Sequence, residues 1–177
     1  GRRFEGRHGD LPYGYDHKYV YSHFGYNLQA TDMQASVGCA QLRKLPLFTE
    51  RRRRNFDRMT AGLRDIADRL ILPEPCPGAK PSWFGFLLTC REGVDRKAVV
   101  QYVEEHGVQT RMLFAGNLTK HPCFDEMRAS GEGYRIVGTL ANTDRIMNDT
   151  FWVGLYPGMT DEKIDYMARI IKEAVRQ

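Results

Sequence analysis

Residues suited to proton chemistry gather near the start of the chain. His17 and His23 stand inside an aromatic run, Tyr13, Tyr15, Tyr19, Tyr21, Phe24 and Tyr26, interleaved with Gly14, Asp16 and Gly25. Imidazoles titrate near neutral pH and can bind or pass a proton, although loop histidines held by stacking or hydrogen bonds are the commoner case. A loop this aromatic, with no helical or alternating period, packs on another surface or lines a site. The usual catalytic spacings are missing: there is no G-x-S-x-G, no H-E-x-x-H and no glycine-rich phosphate loop. Cys39, Cys76, Cys90 and Cys123 form no C-x-x-C pair, so a zinc site built from this chain alone is not expected; the pattern suits buried, reduced thiols. The net charge of +4 fits a partner carrying phosphates without identifying one. Arg51 to Arg54 read as a solvated or subunit-facing helix surface rather than a nucleic-acid patch, since no aromatic residues interleave with them.

The 177 residues suffice for one domain with a real core, and the 42% hydrophobic and 27% charged composition is that of a folded soluble protein. No window is long and apolar enough for a membrane span, and no basic-then-apolar leader precedes the fold; the expectation is a cytoplasmic protein. The chain opens on Gly1 rather than Met, so the expectation is a processed or excised product or a piece of something longer.

Several elements must position any site. Thr31-Asp32-Met33-Gln34 has the form of a capping box, opening a helix with a stripe of Met33, Val37 and Ala40. Ala35, Ser36, Gly38 and Ala40 on it suit close contact with another backbone. Pro46 is expected to open a second helix running to about residue 69, striped by Phe56, Met59, Leu63, Ile66 and Leu70. A rigid connection containing Pro73, Pro75, Pro77 and Pro81 follows. Residues 83–89 read as a buried strand, and Asp95 caps a helix that Gly107 ends. Residues 108–114 read as a second strand, 122–138 as irregular chain, 142–149 as a helix and 151–155 as a third strand. Thr160 caps a last helix bearing Ile164, Met167, Ile170, Ile171 and Val175. The order predicts a small α+β or α/β sandwich, a short sheet covered by helices and preceded by long helices; the α/β class is the one expected.

The block Gly25-Tyr26-Asn27-Leu28-Gln29-Ala30-Thr31-Asp32-Met33-Gln34-Ala35 resembles a signature of the DegT-type sugar aminotransferases, with Gln29 in place of a frequent arginine. Thr143-Asp144-Arg145 and the run from Phe151 to Thr160 (FWVGLYPGMT) match the same family. Leu11 to Tyr19, Ser82 to Phe86 and Arg111 to Asn117 look like the CDP-4-keto-6-deoxyglucose-3-dehydrase (RfbH-type) branch, and the likeness covers nearly the whole chain as the C-terminal two-fifths or so of such an enzyme.

The resemblance implies the C-terminal small domain of a fold-type-I enzyme dependent on pyridoxal or pyridoxamine phosphate (PLP or PMP). Residues 1–69 would be an aromatic loop and linking helices completing the large-domain and dimer interface; residues 70–177 would be the small α/β domain. The implied activity is removal of the C3 hydroxyl of a CDP-linked 4-keto-6-deoxy sugar, for 3,6-dideoxyhexose and lipopolysaccharide O-antigen synthesis, with electrons from a partner reductase. The cofactor-site histidine or lysine, and any iron–sulfur cluster, would lie upstream of residue 1, leaving no catalytic residue or metal site here and an inactive isolated chain. Asn27 is the implied cofactor-phosphate donor, reaching across a homodimer interface; capping the chain before the helix is its rival role. Arg111 and Arg145 are implied substrate residues, through paired donors to phosphate oxygens, with structural ion pairs as the alternative. Phe84 or Phe86 would wall the sugar pocket or simply pack, and Asn117 would donate to a sugar hydroxyl or order its loop. A PLP-dependent sugar aminotransferase of the same family and a non-catalytic binding or oligomerisation module are the alternative readings. No nucleic-acid or membrane partner is expected.

Overall fold

The computed structural model describes residues 9–177 except Tyr15, Ser22 and Asn27, and only the backbone of His17. The chain divides into two compact units, residues 1–42 and 43–177. In the first, the described aromatic residues Tyr13, Tyr19, Tyr21, Phe24 and Tyr26 are all exposed, as are Met33, Val37 and Leu42 on the following helix. The capping box forms as expected: the Gln34 amide donates to Thr31 Oγ1 (3.3 Å) while the Thr31 amide donates to Gln34 Oε1 (2.9 Å).

Helix α1 runs from Asp32 to Leu63 without a break, passing through Pro46. The expected start of a second helix at Pro46 is therefore corrected. A proline inside a helix forfeits the bond to the carbonyl four residues back, and here that residue, Leu42, is exposed, so water can take the place of the missing donor. The helix also ends sooner than its stripe suggests. A 3₁₀ turn at Arg64–Ile66 and a two-residue strand β1 (Leu70–Ile71) carry Ile66 and Leu70 into the same core as Met59 and Leu63, so the apolar spacing continues after the helix has stopped.

The remaining elements of the second unit are β2 (Gly85–Cys90), α2 (Arg96–Glu105), β3 (Thr110–Met112), α3 (Asp125–Ser130), α4 (Ala141–Asp149), β4 (Thr150–Gly154) and α5 (Asp161–Arg176). The sheet order is β1-β2-β4-β3, every pair antiparallel. Asp95 caps α2 by accepting from the Lys97 amide, and Thr160 caps α5 by accepting from the Lys163 amide. Helix α3 lies where irregular chain was expected; Asp125 and Glu126 in its first turn and a left-handed Gly131 at its end are its sequence marks.

Alternation along the strands separates two faces. Phe86, Leu88 and Cys90 of β2 with Phe151 and Val153 of β4 point inward, against Met59 and Leu63 of α1, Val99 and Val103 of α2, and Ile164, Ile170 and Ile171 of α5. Arg51, Arg53 and Arg54 of the arginine run are exposed, as a solvated helix surface would be, and part of the run also bonds its own chain. Arg54 donates to both Asp161 oxygens at 2.7 Å, Arg58 donates to Asp161 (3.0 Å) and Asp165 (2.7 Å), and Arg53 donates to the Pro81 carbonyl (3.0 Å). Arg58 in turn holds the Asp165 carboxyl below the usual carboxylate range. All four cysteines are free, as expected, but only Cys90 is buried, where desolvation pushes its thiol up to about 11. Cys39, Cys76 and Cys123 are exposed, which corrects the expectation of buried thiols.

Phe86 and Phe84 lie two residues apart, the first wholly buried and the second 61% exposed. Phe86→Ala should therefore cost about 3–5 kcal/mol in a denaturant melt. Phe84→Ala should cost only about 1 kcal/mol, the scale of one aromatic contact such as that with Trp152.

Candidate functional site

The outward face of the sheet carries Gly85, Leu87, Trp152 and Arg111, since Leu87 and Arg111 are both registered against Trp152. The Trp152 indole lies against Gly85, where a Cβ would sit 2.6 Å from Trp152 Cε3; glycine is the only residue that leaves this space. Trp152 Nε1 donates to the Met112 carbonyl (3.0 Å), and Phe84 meets the indole edge-on with ring centroids 5.5 Å apart.

Arg111 is exposed on β3, and its strand is held from beneath. Glu104, near the end of α2, accepts from the Thr110 amide (2.6 Å) and from Thr110 Oγ1 (2.7 Å). These two bonds keep the Glu104 carboxyl below the usual range. The Arg111 guanidinium donates to the Thr110 carbonyl (2.9 Å), and the Gln109 side-chain oxygen, with the amide turned to suit its neighbours, accepts from it at 3.0 and 3.2 Å.

After β3 the chain turns sharply. Phe114 adopts a positive φ of 50° and is exposed, while Gly116 packs so closely on Met147 of α4 that a Cβ would lie 2.7 Å from Met147 Cγ. Asn117, 3% exposed, donates through Nδ2 to Asp144 Oδ1 (2.7 Å). Its Oδ1 accepts from the Thr119 amide (3.1 Å) and Thr119 Oγ1 (2.7 Å). Lys120 pairs with the same Asp144 oxygen at 2.9 Å. The Asn117 amide first, and Lys120 second, hold the Asp144 carboxyl below its ordinary value. His121 and Cys123 stand close in sequence, but His121 Nε2 lies 2.6 Å from the Ala115 carbonyl and serves the turn.

Of the residues singled out from sequence, Phe84 and Arg111 flank Trp152 on one face of the sheet. Phe86 is on the opposite face, buried against Phe56 with centroids 4.7 Å apart. Asn117 is committed to ordering its loop, and Arg145 is exposed beside Asp144 with no ion pair among the described residues. Asn27 lies outside the described residues. Sequence reasoning passed over Trp152, Glu104 and Asp144. The sequence Phe151-Trp152-Val153 is apolar throughout, so only the pairing of the strand shows Trp152 facing away from the core; the other two depend on contacts between elements.

A short antiparallel sheet backed by helices on one side has the fold of part of a fold-type-I pyridoxal-phosphate enzyme. Residues 6–172 match the DegT/DnrJ/EryC1/StrS aminotransferase family, and the chain belongs to it. It is 49% identical over 175 residues to the lipopolysaccharide biosynthesis protein RfbH of Salmonella typhimurium, covering 98% of this chain and 39% of that protein. It is 46% identical over 176 residues to the dTDP-4-dehydro-2,6-dideoxy-D-glucose 3-dehydratase of Saccharopolyspora spinosa, covering 98% of this chain and 37% of that protein. Its fold matches the crystal structure of a GDP-4-keto-6-deoxymannose-3-dehydratase with bound GDP-perosamine at a TM-score of 0.75 and 24% identity, over 95% of this chain and 42% of that one. The chain thus spans about two-fifths of the length of these relatives.

Because Asp144 is more acidic in the folded chain, its share of stability is present above the ordinary aspartate pKa of about 4 and is lost as pH falls through the folded value. Asn117→Ala should cost roughly 2–3 kcal/mol in a melt at neutral pH. An NMR titration of the variant should show Asp144 moving up, toward its ordinary value.

Proposed function

We propose that the chain is the C-terminal part of a nucleotide-sugar 3-dehydrase that removes the C3 hydroxyl of CDP-4-keto-6-deoxyglucose, on the way to a 3,6-dideoxyhexose of lipopolysaccharide. The observation that carries this reading is the 49% identity to RfbH along 98% of the chain. The second relative, itself named a 3-dehydratase, supports the reaction class. Under this reading Arg111 takes the substrate diphosphate with paired N–H donors, and Arg145 is a second cation for the same charge. Phe84 offers its exposed ring to the sugar, while Phe86 supports the strand from within. Asn117 acts by holding its loop rather than by touching a hydroxyl.

PMP, with PLP as its partner form, would supply the amine and the electron sink for C–O cleavage when bound. The described residues do not by themselves fit it. One hollow of about 620 Å³, lined in part by Lys163, Glu162, Tyr156 and Tyr166, presents one cation beside a carboxylate, a poor cradle for a phosphate. The cofactor is therefore held mainly by the rest of the enzyme, with Asn27 donating to its phosphate from a second subunit. The exposed aromatic and apolar residues of the first unit suit a homodimer contact. A reductase supplies electrons to the full enzyme, which works in the cytoplasm; among the described residues no helix is long and apolar enough to cross a membrane. The family's aminotransferase name favours, as second reading, a PLP-dependent sugar aminotransferase.

Full-length enzyme incubated with PMP, a reductase and CDP-4-keto-6-deoxyglucose should yield a 3-deoxy product by mass spectrometry. An amino sugar formed with an amine donor would favour the aminotransferase instead. In the full-length protein, Asn27→Ala should weaken PMP binding ten- to a hundredfold, the worth of one charge-assisted bond of roughly 1.5–3 kcal/mol, with little change in the melt of the apo form. The isolated 177-residue chain should retain no PLP or PMP absorbance after dialysis.

A further inference from the structure

The geometry points to Trp152 as a positioning residue for substrate binding, one indole that fixes Phe84, the strand of Arg111 and the turn at Phe114 together. The inference rests on the dehydrase reading above and extends it to a residue that touches no substrate group in that reading.

Each link is a separate contact. The Phe84 ring, exposed on its far side, stands at 86° to the indole. Its backbone is fastened too, because the Phe84 carbonyl accepts from the Leu155 amide (2.8 Å), so the indole edge governs what freedom the side chain has left. Arg111 is registered directly against Trp152 on strand β3, which among the described residues pairs only with β4. Three residues of β3 give that strand little pairing of its own, and the indole N–H adds a bond beyond the ladder. That bond ends on the Met112 carbonyl, which also accepts from the Phe114 amide (2.7 Å) and so closes the turn that puts Phe114 at positive φ. Arg96 of α2 reaches Met112 Sδ at 2.8 Å, which holds the same residue from its side chain. Gly85 completes the arrangement by leaving room for the ring; any side chain there would displace it.

A tryptophan that merely covered the sheet would affect stability alone. A tryptophan that sets Phe84 and Arg111 affects substrate affinity as well, and its N–H matters separately from its area. The test uses the full-length enzyme with PMP and CDP-4-keto-6-deoxyglucose, comparing wild type, Trp152→Leu, Trp152→Phe and Gly85→Ala by steady-state kinetics and by melting. Trp152→Leu and Gly85→Ala should raise KM about tenfold with kcat within about threefold of wild type. Trp152→Phe, which keeps an aromatic edge for Phe84 but lacks the donor, should recover part of that loss. KM within twofold of wild type in Gly85→Ala and Trp152→Phe would overturn the inference, whatever happens to the melt and even if Trp152→Leu fails to fold. Wild-type enzyme that leaves the substrate unchanged would instead overturn the dehydrase reading, and this inference with it.

Discussion

The register of β4 between β2 and β3 is the constraint on which the second unit depends. Phe151 and Val153 enter the core from this strand, and Trp152 between them faces the other way. Side chains alternate with period two, so a slip of one residue would bury the indole and expose the phenyl ring. Two neighbours pin the register from both sides. Phe151 is registered with Leu88 of β2 and Met112 of β3, and Trp152 with Leu87 and Arg111. Thr89 Oγ1 and Thr150 Oγ1, 2.8 Å apart, mark the start of the pairing with β2.

Core and site are thus two faces of one strand arrangement. The inner face gains from burying Phe86, Leu88, Phe151 and Val153 under three helices. The outer face is left with a glycine, an indole and an arginine, the groups on which the proposed substrate contact draws. The supports that hold the outer residues come from the helices: Glu104 of α2 under Thr110, and Asp144 of α4 under Asn117. Both carboxylates are acidic because they accept bonds from their clients, and those bonds aim the chain on either side of the Phe114 turn.

The strands and helices of residues 83–177 were largely legible because their apolar periods are short, bounded by capping residues and interrupted by glycine or proline. Thr160 and Asp95 announce their helices, and Phe151 to Leu155 reads as a strand from composition alone. The stripe from Phe56 to Leu70 misled, because a 3₁₀ turn and a short strand can keep apolar residues facing the same core at helical spacing. Pro46 misled in the opposite sense, since the rest of a 32-residue helix outweighs one lost bond and the ring's clash with the preceding turn. At the candidate site, residue type and resemblance singled out Phe84, Phe86 and Arg111 alike; only the structure separates exposed Phe84 and Arg111 from buried Phe86. Trp152, Glu104 and Asp144 act through contacts between distant parts of the chain, which no local pattern records. Asn27 rests on the family resemblance, outside the described residues.

Amide hydrogen exchange across the 177-residue chain tests most directly whether β4 is locked between β2 and β3. Paired on both edges and buried on one face, the hydrogen-bonded amides of residues 150–154 should exchange only through global unfolding, with the same free energy as the slowest amides of β2. Exchange of β4 as fast as that of the exposed stretch around Val137 would contradict the account, because the strand that separates core from site would then open on its own.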